Sequence, residues 1–164
     1  MRLAVLNDGP AESPLDWTLR FEQGRHCHLR KGASMVEYLG KSEHQKRRAY
    51  SPAVITQGGK TIWLAGQTAT QDEQGNDISG NFEAQVRTIF NLLDKTLKGV
   101  GGSLANMVTM TVFIVDPRHG DRFVEMRGGF FPDGNYPASA LITVSNFARP
   151  GMLIEIQGVA VIGG

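Results

Sequence analysis

Seven apolar residues, Phe82, Val86, Ile89, Phe90, Leu93, Leu97 and Val100, recur at spacings of three and four. That spacing puts them on one stripe of a helix of about five turns. Such a stripe has to be buried, and the chain offers a surface for it directly afterwards. Met107 to Val115 is a nine-residue run of Met, Val, Thr, Phe and Ile bounded by Asn106 and Asp116-Pro117, which reads as a buried strand. Asn81 is placed to cap the start of the helix, and Gly99 with Gly101-Gly102 to stop it. A helix laid on a sheet is therefore the centre of the fold.

The flanking segments agree with that centre. Ala53 to Thr56 and Thr61 to Ala65 lie either side of Gln57-Gly58-Gly59-Lys60, a glycine turn that predicts a hairpin. Gln71 to Gly80 is a polar loop. Phe123, Met126, Arg127 and Phe130 predict a second, shorter helix ended by Pro132-Asp133-Gly134. Ala140 to Val144 and Met152 to Ile162 are the last two strands. The expected order is β-β-α-β-α-β-β, an α+β fold with one mixed sheet and two helices on one face. The other face then needs a cover, and another subunit is expected to supply it. Residues 1–45, with scattered apolar positions among Pro10, Pro14 and Gly24, read as a loosely ordered extension, and 46–164 as the domain. Met35 is a candidate natural start.

Charge and composition narrow the function. Lys plus Arg total 17 against 16 Asp plus Glu, a formal net charge of +1, so the chain lacks the field by which nucleic-acid binders attract their partner. No nucleic acid is expected, and no membrane, because no apolar run approaches the roughly 18 residues needed to span one. The single Cys27 forms no internal disulfide, and without an export signal the cytoplasm is the expected location. His26-Cys27-His28 lacks partners at structural-zinc spacing, the other histidines being His44 and His119, so no metal is expected. Lys46-Arg47-Arg48 is a short basic cluster without stacking aromatics. The glycines after Leu97 follow a helix rather than a strand and cradle no phosphate. No Gly-x-Ser-x-Gly elbow occurs.

Glu155 stands out because it interrupts the apolar run Leu153-Ile154-Glu155-Ile156, where a carboxylate is costly unless used or paired. Period two puts Ile154, Ile156, Gly158, Ala160 and Ile162 on the core face and Glu155 on the opposite one. The structural alternative is a solvated or ion-paired carboxylate.

Tyr50-Ser-Pro-Ala-Val54, Leu64-Ala-Gly-Gln67, Phe82-Glu-Ala-Gln-Val-Arg87, Pro137-Ala-Ser139 and Ile154-Glu-Ile-Gln157, in that order over residues 50–162, together resemble the RidA (YjgF) family. The resemblance implies a chorismate-mutase-like protomer and a homotrimer whose sheets close a central barrel. It also implies clefts between subunits that take a small-molecule substrate without a cofactor. By the same resemblance Glu155 orients the attacking water, and Tyr50, Gly66, Gln67, Ser139 and Leu141 line the cleft. In the family's deaminases an Arg in a Pro-Ala-Arg-Ser motif clamps the substrate carboxylate. Ser139 stands at that position, and a hydroxyl supplies neither the charge nor the fork. Val124 falls where the family has an Asn. Arg127 and Arg149 are candidates for a replacement cation, and Ser139→Arg is expected to restore the clamp. The expected function is a cofactor-free hydrolase of the enamine/imine deaminase type, the alternative a non-catalytic metabolite-binding or protein-protecting trimer. Ribonuclease activity, attached to some relatives, is disfavoured by the near-neutral charge and the lack of a paired catalytic His set.

Overall fold

The computed structural model describes residues 35–163. In chain order they form β1 (Met35–Tyr38), α1 (Glu43–Arg47), β2 (Val54–Gln57), β3 (Lys60–Gln67), α2 (Phe82–Lys98), β4 (Met107–Ile114), α3 (Gly120–Phe130), β5 (Ala138–Thr143) and β6 (Ile154–Ile162). Four strands make the main sheet, in the order β3-β6-β4-β5. β4 and β5 run parallel and the other pairs antiparallel, so the sheet is mixed.

Asn81 caps α2 as its residue type predicts, its side-chain oxygen accepting from the Ala84 N–H at 3.1 Å. Six of the seven stripe residues, Phe82 to Leu97, are buried. They pack on Met110, Val112, Ile114, Ile154, Ile156 and Ala160, the alternate residues of β4 and β6. α3 joins the same core through Phe123, and the Phe90 ring stacks on Phe130 at 4.1 Å between centroids. Both helices thus cover one sheet face.

Several local readings change. α2 ends at Lys98, and Gly99 stays right-handed at φ −61°. The reversal comes at Gly101, φ +88°, where only glycine is unstrained. Val100 therefore leaves the stripe and is 40% exposed. The glycine turn is present, with Gly58 and Gly59 at φ 68° and 76°. The strands on either side of it nevertheless enter different sheets: β2 pairs with β1, and β3 with β6. A turn signal reports a reversal of direction, and the ladder partner is chosen by whichever strand packs better.

That partner lies in the stretch read as extension. Residues 35–45 hold all of β1 and the start of α1, so the ordered domain begins before residue 46. Met35 to Tyr38 pair with Gln57 to Val54, and the Tyr38 hydroxyl, its pKa raised by burial, donates to the Met107 carbonyl at 3.2 Å. Ser42 and Gln45 form a capping box at the start of α1. Four residues with one aromatic carry too little periodicity to be seen in sequence. The His26-Cys27-His28 reading and the rest of the extension lie outside the described residues.

Candidate functional site

The sheet face turned away from the helices carries alternate residues in register. One row is Trp63, Val159, Thr109 and Ala138, the next Gln157, Thr111 and Ala140, the third Glu155, Phe113 and Ile142. Trp63 is 80% exposed and Ile142 is exposed. Glu155 lies on this face, as period two requires, and is half-buried. Among the described residues its carboxylate joins no salt bridge and accepts no side-chain hydrogen bond, so the ion-pair alternative finds no partner there.

A bulge in β3 makes room for it. The register against β6 shifts between Leu64 and Gln67. Gly66 sits within that shift, and a Cβ on Gly66 would stand 2.0 Å from the Glu155 Oε1. Gly66 is thus the floor on which the carboxylate rests, with half-buried Gln67 beside it. Gln85, fully buried in α2, holds the approach to β6. Its Nε2 donates to the carbonyls of Ile78 at 3.1 Å and Gly151 at 2.6 Å, and its Oε1 accepts from the Leu153 N–H at 2.9 Å.

The second cluster lies on the helix side of β5. Ser139 is in register with Met110, and Leu141 with Val112, so both face the helices, and Leu141 packs half-buried against the core. Arg127 reaches them from α3. It is 3% exposed, donating from Nη1 to the Ser139 Oγ and from Nη2 to the Arg48 carbonyl, each at 2.5 Å. Among the described residues its Nε has no partner, and its guanidinium lies 5.2 Å from the Phe123 ring centre. Burial, then the nearby Arg48 charge, pull its pKa down to about 10, so it stays a cation at neutral pH. Arg149, the other cation considered, is exposed in the loop before β6. Val124 is buried in α3.

Half-buried Tyr50 follows from the same cluster. Ala49 is buried with φ +50°, a left-handed conformation costly for a residue with a Cβ. The Arg127 bond to Arg48 on one side holds it, and the bond from the Ser51 hydroxyl to the Tyr136 carbonyl at 2.5 Å holds the other. A parallel bridge from Ser51 to Ala138 then lays this segment against β5. Ala49, Ser51 and Gln85 were not legible as site-building residues. Arg127 carried a signal, since its spacing from Phe123 and Phe130 puts a cation on an apolar stripe.

Within one chain the two clusters do not meet. Glu155 and Ser139 sit on opposite faces of the sheet; β4 lies between their strands, which are about 10 Å apart across two ladder spacings, and their rows, at Phe113 and Met110, are three residues apart along it.

A model of the Endoribonuclease L-PSP family matches residues 41–162. The chain belongs to the RidA/YjgF family. Among curated relatives in the family's range, protein DfrA of Myxococcus xanthus is 31% identical over 112 residues, 68% of this chain and 84% of DfrA. A RutC family protein of Pyrococcus horikoshii is 26% identical over 111 residues, 68% and 85% of the two chains. Solved Rid structures share the fold. YyfB of Yersinia pestis superposes with a TM-score of 0.68 at 23% identity, covering 79% of this chain and 98% of its own. A YjgF/YER057c/UK114 family protein of Mycobacterium tuberculosis gives 0.53 at 24% identity, covering 78% and 100%.

Proposed function

We propose that this RidA/YjgF protein is a cofactor-free hydrolase of small, reactive imines or enamines. The reading rests on one observation above all: Glu155 lies on the open sheet face over Gly66 without an ion pair among the described residues. A carboxylate kept free at that position is available to hold and deprotonate water. Water adds to the C=N carbon, forming the C–O bond while the π electrons move to nitrogen. Glu155 takes the water proton and returns it to that nitrogen. The carbinolamine then expels ammonia and leaves a carbonyl compound. An imine is already electrophilic, so positioning supplies most of the required acceleration.

A cleft containing Glu155 as well as Tyr50 and Ser139 has to be assembled from two copies, because one chain holds them on opposite faces. Among the described residues the edge of β3, and that of β5 beyond the Ser51–Ala138 bridge, are open for such pairing, and a homotrimer closes the set. The test is turnover of 2-iminobutyrate generated in situ. Glu155→Gln should keep the assembly and its melting temperature, with turnover down by roughly 100-fold. Unchanged turnover in that variant removes Glu155 from the reaction. The second reading, a metabolite-binding trimer without turnover, is favoured by Ser139 at the clamp position, and absence of ammonia release by the wild-type protein would select it.

A further inference from the structure

The sheet itself holds Glu155 on one side only. It pairs with Phe113 of β4, while on its other side the β3 ladder ends at the Gln67–Ile156 pair. Gly66, the floor of the carboxylate, lies in the bulge between Leu64 and Gln67 and has no register partner in that ladder. The spacing between floor and carboxylate therefore depends on what fixes the end of β3 and the start of β6.

One buried amide reaches both. Gln85 is fully buried and both of its N–H groups are used: Nε2 donates to the carbonyls of Ile78 and Gly151, and Oε1 accepts from the Leu153 N–H. Leu153 lies two residues before Glu155, and its carbonyl accepts from the Val115 N–H at 3.2 Å, so its N–H and C=O are both tied. Ile78 leads to the other strand, because its N–H donates at 2.9 Å to the carbonyl of Thr70, shortly after β3 ends at Gln67. The two loops also meet directly. The Gly80 N–H donates to the Gly151 carbonyl at 2.9 Å, and a Cβ on Gly151, whose φ is +84°, would stand 2.7 Å from the Ser79 Cβ. A buried amide is costly unless its groups are answered, and here every answer comes from the loop out of β3 or the loop into β6.

We propose that Gln85 is a positioning residue that acts through Glu155: by tying the loop out of β3 to the loop into β6, it sets the carboxylate on the Gly66 floor, in the place from which it takes a proton from water. For its effect on turnover the inference rests on the hydrolase reading given above. Its effect on the Glu155 carboxylate does not, and is read separately.

The test uses the full chain. Gln85→Met keeps the length of the side chain and removes all of its hydrogen bonds. Turnover of 2-iminobutyrate per folded protein should fall by about tenfold or more, with KM changed by less than about twofold. In a Glu155→Gln background the same change should leave the residual turnover as it was, because the group it acts through is already gone. Leu93→Ala, a cavity two turns further along α2, is the control, and should lower the melting temperature while turnover per folded protein stays unchanged. NMR supplies a readout without substrate. The Glu155 carboxyl carbon resonance, assigned by its absence in Glu155→Gln, and the Gly66 amide should both shift in Gln85→Met and stay in place in Leu93→Ala. Where Gln85→Met does not fold, Gln85→Glu takes its place. Its buried carboxyl takes up a proton, keeping the Leu153 acceptor and one donor, and turnover should fall several-fold, again only with Glu155 present. Equal loss in both Glu155 backgrounds, an equal loss in Leu93→Ala, or an unmoved Glu155 resonance overturns the proposal. A wild type without turnover removes the hydrolase reading alone, since the two resonances still report whether Gln85 sets the seat of Glu155.

Discussion

The two faces of the main sheet are made from alternate residues of the same strands, yet the chain treats them differently. On one, Met110, Val112, Ile114, Ile154 and Ile156 disappear beneath α2 and α3. On the other, Trp63 stands almost fully in the open, with Glu155, Gln157, Thr111 and Ile142 around it. The first face is satisfied by the chain itself. The second carries a carboxylate unpaired among the described residues and apolar groups that those residues leave uncovered, which is the usual mark of an interface or a site.

The difference can be broken most severely on the closed face. Phe90→Ala removes a fully buried ring that stacks on Phe130 and should cost about 3–5 kcal/mol in urea unfolding. Trp63→Ala, on the open face, should cost no more than about 0.5 kcal/mol in dilute protein. A larger, concentration-dependent loss at Trp63 would show another copy covering it.

Gly66→Ala sharpens the comparison at the site. The new Cβ would occupy the place of the Glu155 Oε1, and a flexible carboxylate can swing away at little cost to folding. Turnover should drop by about tenfold or more while the melting temperature changes little, because misplacement of the reacting group alone is expensive. Unaltered turnover would mean that the carboxylate does not need this floor.

Ser139→Arg gives a smaller and opposite lesson. The sequence predicts a restored clamp, but the structure places the new guanidinium beside buried Arg127. Like-charge crowding should destabilise by on the order of 1–3 kcal/mol, relieved by Arg127→Met in the same chain. A fully stable Ser139→Arg single variant would show that residue 139 has room to turn away from α3.

The smallest effect belongs to the exposed turn after β4. Arg118 hydrogen bonds hold the Asp116 carboxyl down at about 2, from an ordinary 3.8. A depressed carboxyl stabilises above its unfolded value, and that contribution disappears as pH falls through about 2. Asp116→Asn should therefore lower stability slightly at neutral pH, and the difference from the wild type should close as pH falls toward about 2, as followed by circular dichroism.

Much of this was legible in the residues. The stripe from Phe82 to Leu97, the alternation through β4 and β6, and the placement of Glu155 opposite the core are local periodicities, and packing obeyed them. The family motifs added the order of those pieces. β1 was missed because four residues carry no period, and the pairing of β2 because a glycine turn does not name the strand that fills its ladder. Arg127 was counted among the candidate cations, but its burial and its bond to Ser139 could not be read from a spacing.

By itself the sequence determined which residues face the core and which face away, since periods of 3.6 and 2 follow from backbone geometry and need no knowledge of distant contacts. The tertiary structure alone decided what residues on either face meet. The Gly66 floor under Glu155, the guanidinium behind Ser139 and the left-handed turn at Ala49 each join segments far apart in the chain. Such meetings depend on how layers stack and strands choose partners, which is a property of the whole packed chain and of no local run of residues.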